Sequence, residues 1–194
     1  MNISNIKKYA EEHNVPIIQD GGLNVIKDII STHNVEKMIE IGTAIGYSAI
    51  CFSECESIKK IVTIERDPKM YEVAIANIKA LNKEHIIEQH FGVALEIDLN
   101  FLSKEYDLLF IDGAKAQSRK FFERYLPFLK DDGVIVVDNI SFHGINKETP
   151  NISRNVRQLV TKIERFVEWL KNNEDFETVF LEEGDGLAIS KKKC

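Results

Sequence analysis

Positive charge is in short supply in this chain. Its 194 residues hold 25 Lys and Arg against 31 Asp and Glu, a net charge of −6. No general basic character points to nucleic acid, although a local patch would be enough to bind it. Cysteine is also scarce. Cys51, Cys55 and Cys194 form an odd set without framework spacing, which excludes a disulfide scaffold and fits a reducing cytoplasm. Cys51 and Cys55 lie one helical turn apart and read as small core-facing residues rather than as a metal pair. No apolar run reaches the roughly 20 residues needed to cross a bilayer. The opening "MNISNIKKYAEEHN" has neither the apolar stretch nor the small-residue cleavage site of a secretory signal, so no membrane partner is expected. With 4 Pro and 10 Gly in the whole chain, no linker or repeat divides it, and residues 1–194 are expected to form one domain.

What the chain does have is the composition of an ordinary globule, 44% hydrophobic and 29% charged, and a regular alternation of patterns. The β-branched runs "KMIEI", "KIVTIE", "HIIEQHF", "YDLLFID" and "GVIVVDN" are each followed by a helical pattern, short after the third and long, about 152–172, after the fifth. In that last helix Val156, Leu159, Val160, Ile163, Val167 and Leu170 form one apolar stripe. Near-continuous apolar strands alternating with amphipathic helices indicate an α/β fold, a doubly wound, mostly parallel sheet covered on both faces. The final "FETVFL" and "LAIS", separated by "EEGDG", read as an antiparallel hairpin, which brings the sheet to seven strands.

In such sheets ligands sit beyond the carboxyl ends of the strands, where strand order reverses. The residues there are Gly42, Glu65, Asp112, and Asp138 with Asn139. The turn Gly42-Thr-Ala-Ile-Gly46 fits neither the dinucleotide pattern G-x-G-x-x-G nor the Walker loop, since it has too few glycines and no lysine. Glu40 would repel a phosphate and suits an ammonium. Glu65, 23 residues after Gly42, stands where a carboxylate takes both ribose hydroxyls. A nucleoside with a charged amino-acid tail and no phosphate satisfies all three, and S-adenosyl-L-methionine is such a ligand. Without Glu40 and Glu65, the glycine turn alone would mean only close packing of helix on strand.

Asp112, Asp138 and Asn139 offer two carboxylates and an amide oxygen at neighbouring strand tips. That is a hard, oxygen-only set for Mg²⁺ or a similar divalent cation, with positions left for water and a bidentate substrate. A single aspartate closing a strand would be read as a helix cap. Lys115 follows Asp112 by three residues, and a cation beside it would favour the neutral amine that a general base needs.

The segments Glu40-Ile-Gly-Thr-Ala-Ile-Gly-Tyr-Ser48, Thr63-Ile-Glu-Arg66, Phe110-Ile-Asp-Gly-Ala-Lys115, Val137-Asp-Asn139 and Gly184-Asp-Gly-Leu-Ala-Ile-Ser190 resemble the catechol O-methyltransferase-like family. Its members are Mg²⁺-dependent class I methyltransferases that use S-adenosyl-L-methionine. "YAEEHNVPII", "IGTAIGYSAI" and "GDGLAISKKK" are most similar to the branch that methylates 5-hydroxyuridine in bacterial tRNA. The resemblance implies Asp112, Asp138 and Asn139 as metal ligands, Lys115 with Asp112 as catalytic residues, and Glu65 on the ribose. It implies Ser48 and the Gly42 turn, with Glu40, at the methionine end. Gly92, Val93 and Ala94 would frame the adenine, and Ile18 would lie in a cofactor-covering segment within the N-terminal helices, residues 1–34. Val93 stands where members often carry aspartate, so only its backbone is expected to contribute. The amino terminus looks shorter than in close relatives, which would reduce the helices of a dimer or lid. A homodimer is the expected assembly.

A vicinal pair of oxygens is the acceptor such a cation would hold. A catechol-like phenol has one, and 5-hydroxyuridine has another in its 5-hydroxyl and 4-carbonyl. Arg119, Lys120, Arg124, Arg154 and Arg157 could flank the crevice for tRNA, with Lys191, Lys192 and Lys193 as further phosphate contacts. The plainer reading is ordinary solvated faces, which the acidic total favours, and it is the motif resemblance rather than the charge that points to tRNA. His143 in "SFHG", five residues past Asp138, is expected near the same crevice, more as an exposed loop residue than as a substrate contact. The competing classes, a dehydrogenase or a silent nucleotide-binding module, are disfavoured by the missing dinucleotide pattern and by the presence of Lys115 with the aspartate pair.

Overall fold

The computed structural model describes residues 2–141 and 148–193. Two helices open the chain, α1 (Ile3–His13) and α2 (Asp20–Thr32). They are followed by β1 (Lys37–Ile41), α3 (Tyr47–Phe52), β2 (Lys60–Glu65), α4 (Pro68–Ala80), β3 (Ile87–Phe91) and β4 (Tyr106–Ile111). After a 3₁₀ turn at Lys115–Gln117 come α5 (Ser118–Tyr125), β5 (Leu129–Asp138), α6 (Arg154–Lys171), β6 (Phe176–Leu181) and β7 (Leu187–Lys192). Local signals set several starts. Asn2 and Asn5 close a reciprocal capping box on α1, and Asp67 accepts from the amides of Lys69 and Met70 ahead of Pro68 on α4.

The seven strands form one sheet in the order β3-β2-β1-β4-β5-β7-β6. The first five are parallel, and β7 runs antiparallel between β5 and β6. Alternation along β4 shows why both faces are covered. Leu108 and Phe110 join a core with Ile26, Ile30 and Phe52, while Leu109 and Ile111 join another with Phe122, Tyr125 and Phe166. The terminal hairpin is as the alternation predicts, and its second strand takes the inner place beside β5. No helix among the described residues is long and apolar enough to cross a membrane.

Two local expectations are corrected. No helix follows β3. Residues 93–100 make a single turn, in which the Val93 carbonyl accepts from the amides of Glu96 and Ile97. Asp98 then caps the amide of Asn100 with its side chain, and Arg124 takes the carbonyls of Ala94 and Ile97, so the groups a helix would use are engaged elsewhere. On α6 the buried stripe is Val160, Ile163, Phe166 and Leu170. Val156, Leu159 and Val167 are only half-buried.

β1 lies between β2 and β4, so strand order reverses there and opens a crevice. The chain leaves β1 through Gly42, with φ of +101°. A Cβ at that position would stand 2.3 Å from the carbonyl oxygen of Asp112, the residue that closes β4. Gly42→Ala should therefore cost about 2 kcal/mol or more, from a strained backbone plus a backbone overlap. Urea unfolding checks it, and wild-type stability would contradict the packing described.

Candidate active site

Beyond the tips of β1, β2 and β4 lies a cavity of about 290 Å³ lined by Gly42, Glu65, Gly92, Val93, Ala94, Asp112 and Phe121, among others. Glu65 is held there by backbone amides. One carboxylate oxygen accepts from Ala44 at 2.8 Å, the other from Arg66 at 2.8 Å and Asp67 at 2.7 Å. Oε1 is thereby saturated, and Oε2, bonded only to Ala44, keeps a lone pair for a ligand hydroxyl. Ala44 reaches Glu65 only by adopting a φ of +46°, an uncommon conformation for a residue with a side chain. The opposite wall is pinned from behind: the Ala94 carbonyl accepts from Tyr125 Oη at 2.7 Å and Arg124 Nε at 3.1 Å. The Val93 side chain is exposed.

A second cavity, about 410 Å³, shares Gly42, Glu65 and Asp112 with the first. It adds Ile18, Lys115, Asp138, Asn139 and Asp185. Ile18 comes from the segment between α1 and α2. Asp138 Oδ accepts from the Asn139 amide at 2.7 Å, and Asn139 Nδ2 donates to Asp112 Oδ1 at 3.2 Å. Asn139 itself has a φ of +63°, a local strain of the kind that collects at functional sites. Burial, then the charge of Asp138, then that of Glu40, push the Asp112 carboxyl well above its usual range. Asp138 is raised to about 6 by burial and by Asp185, against the amide of Asn139 and the charge of Lys115.

Among the described residues no group of three or more His, Cys, Asp or Glu is assembled as a metal cage. The set here is two carboxylates and an amide. Turning the Asn139 amide by half a turn exchanges its nitrogen for its oxygen, an assignment geometry alone does not fix. The donors are then all oxygen, they are crowded enough to be pushed toward protonation, and they fit a hard divalent cation.

Two expected residues stand apart from both cavities. Glu40 is fully buried beneath the turn, where it accepts from Ser48 Oγ at 2.6 Å and Thr63 Oγ1 at 2.6 Å. Thr63 also bonds Thr43 in the turn itself at 2.6 Å. Burial raises the Glu40 carboxyl to about 7 despite these bonds.

The profile of the O-methyltransferase family matches residues 3–193. The chain belongs to that family. A Staphylococcus aureus protein named as a candidate caffeoyl-CoA O-methyltransferase is 41% identical, with a TM-score of 0.92 over 100% of this chain and 93% of that one. The caffeoyl-CoA O-methyltransferase of Stellaria longipes is 24% identical over 98% of this chain and 83% of its own length. An O-methyltransferase from Bacillus cereus, solved in complex with SAH, shares the fold at a TM-score of 0.82 and 23% identity, covering 98% of this chain and 90% of that one.

In this O-methyltransferase, sequence reasoning missed Asp185. It lies in the β6–β7 turn, and "EEGDG" read only as a turn; its position follows from β7 pairing with β5, which sets Leu187 opposite Asp138. The same antiparallel register carries Lys191 back to Val134, so Lys191–Lys193 sit at the sheet end away from the crevice. There Lys192 pairs with Asp131 and Lys193 donates to the Asn173 carbonyl. These lysines do not flank the site. Arg124 is likewise taken up by the Ala94 loop. Cys51 is buried and Cys55 half-buried, both as free thiols. His143 lies outside the described residues.

Glu40 gives the enzyme a pH signature. Its carboxyl moves from 4.5 to about 7 on folding. Below pH 4.5 the proton is bound in both states and nothing is lost. Between the two values the unfolded chain gives up its proton first, so stability falls as pH rises, by on the order of 3 kcal/mol once complete. Urea unfolding at pH 5 and pH 8 should show a decline that Glu40→Gln reduces; an identical decline in both proteins would contradict this.

Proposed function

We propose that this enzyme transfers a methyl group from S-adenosyl-L-methionine to a hydroxyl oxygen, and that the acceptor is 5-hydroxyuridine in tRNA, giving 5-methoxyuridine. One observation carries the chemistry: Asp112, Asp138, Asn139 and Lys115 line a single cavity that is continuous with the Gly42–Glu65 cradle.

S-adenosyl-L-methionine would supply an electrophilic methyl. Glu65 would hold its ribose through the free acceptor site on Oε2, while Gly92, Val93 and Ala94 would border its base. Glu40 and Ser48, beneath the turn, would give negative potential to its ammonium end, and Ile18 would cover it. Asp112, Asp138 and Asn139 would hold a divalent cation such as Mg²⁺, which when bound lowers the pKa of a coordinated hydroxyl. Lys115 Nζ would take the acceptor's proton as the oxygen bonds the methyl carbon and the carbon–sulfur bond breaks, releasing S-adenosylhomocysteine. The walls contribute alignment and exclusion of water. The family resemblance supports a cytoplasmic homodimer as the acting form.

A second reading, a small catechol-like or other vicinal-dioxygen phenol as acceptor, is favoured by the caffeoyl-CoA names of the relatives. The tRNA reading rests on the sequence motifs near both ends of the chain. The two separate cleanly. Nucleosides of tRNA from a strain lacking this protein, incubated with the enzyme and cofactor and analysed by mass, should convert 5-hydroxyuridine to 5-methoxyuridine. Turnover of catechol with no change in tRNA would reverse the choice. On whichever acceptor is turned over, Asp138→Ala and Lys115→Ala should each lose about 100-fold or more of the rate, with S-adenosylhomocysteine affinity nearly unchanged. Retained turnover would contradict the assigned roles.

A further inference from the structure

Beside the crevice runs a groove of about 340 Å³ between α5 and α6, lined by Lys115, Arg119, Lys120, Lys162 and Arg165 and, among its described lining residues, by no Asp or Glu. In a chain of net charge −6, such a gathering of one sign is unfavourable unless something negative answers it. Two features of the fold produce it. Lys162 and Arg165 stand three residues apart and so share a face of α6. α6 in turn packs against the 3₁₀ turn Lys115–Gln117 that leads into α5. Arg119 is already engaged, paired with Glu123 at 2.8 Å and set over the Trp169 ring at 4.7 Å. Lys120, Lys162 and Arg165 are exposed and make no ion pair among the described residues.

We infer that this groove binds the phosphate backbone of the RNA that carries the acceptor nucleoside. The inference rests on the tRNA reading above and gives it a surface. Lys115 lines both the groove and the reaction cavity, so a strand whose base enters the acidic crevice leaves directly across the cations. The signs divide the work: carboxylates and an amide at the reaction centre, and the exposed Lys120, Lys162 and Arg165 where a phosphodiester chain would pass. The motif lysines at the carboxyl end of the chain do not take part, because the register of β7 removes them to the other end of the sheet.

The test is the triple variant Lys120→Gln, Lys162→Gln, Arg165→Gln, none of which touches the reaction cavity. Filter binding of an unmodified anticodon stem-loop RNA across a salt series should show affinity at least about tenfold weaker. The slope of log affinity against log salt should be shallower by about two, as expected for three lost contacts to single-stranded phosphates. S-adenosylhomocysteine affinity and thermal stability, measured on the same samples, should stay at wild-type values. Unchanged RNA affinity and slope would overturn the inference. A parallel titration with coenzyme A distinguishes a small phosphate ligand, and weakening of coenzyme A binding alone would overturn the RNA assignment. The acceptor reading fails separately, if wild-type enzyme that binds RNA leaves 5-hydroxyuridine unmethylated.

Discussion

Two carboxylates crowded at neighbouring strand tips, Asp138 buried and Asp112 half-buried, are an unfavourable arrangement, and much of this fold maintains it. Asp112 and Asp138 close adjacent parallel strands whose register is fixed by apolar side chains on both faces. Neither can move away without carrying a strand with it. Asp185, delivered by the hairpin, joins Glu65 and the pair as a fourth acidic group in the same cavity, against which the described lining sets the single basic side chain of Lys115. An excess of buried negative charge at a switch point is what a divalent cation and a sulfonium would neutralise. The raised carboxyls are the cost of keeping the place ready.

The surroundings of that pair are rigid for identifiable reasons. Gly42 passes so close to Asp112 that no side chain fits, which locks the tips of β1 and β4 together. Glu65 is fixed by three backbone amides, and the Ala94 wall by Arg124 and Tyr125. A cradle of this kind is organised before its ligand arrives, so binding need not order the site.

Much of this was legible in the sequence, and the exceptions have physical causes. Strand tips announce themselves, because a glycine or carboxylate that ends an apolar run adds nothing to the core it borders; Gly42, Glu65, Asp112 and Asp138 were found that way. Asp185 was not, since its place depends on β7 inserting beside β5, a pairing no local pattern encodes. The terminal lysines misled for the same reason: antiparallel return carries them away from the crevice that their neighbours in sequence approach. Glu40 was read as facing a ligand, and its alternation along β1 left open how deep it would lie. The helix expected after β3 gave way to side chains of Arg124 and Asp98 competing for the backbone. The groove of Lys120, Lys162 and Arg165 joins residues some 40 positions apart and needed the packing of α6 to be seen.

The proposal beneath all of this is that Asp112 and Asp138 hold a divalent cation. Calorimetric titration of Mg²⁺ into the enzyme saturated with S-adenosylhomocysteine, at pH 6 in buffers of different ionisation heat, addresses it directly. Binding accompanied by proton release, with the release fading toward pH 8 and binding abolished in Asp138→Asn, is the predicted result. No binding, or binding that neither releases a proton nor depends on Asp138, would contradict the account.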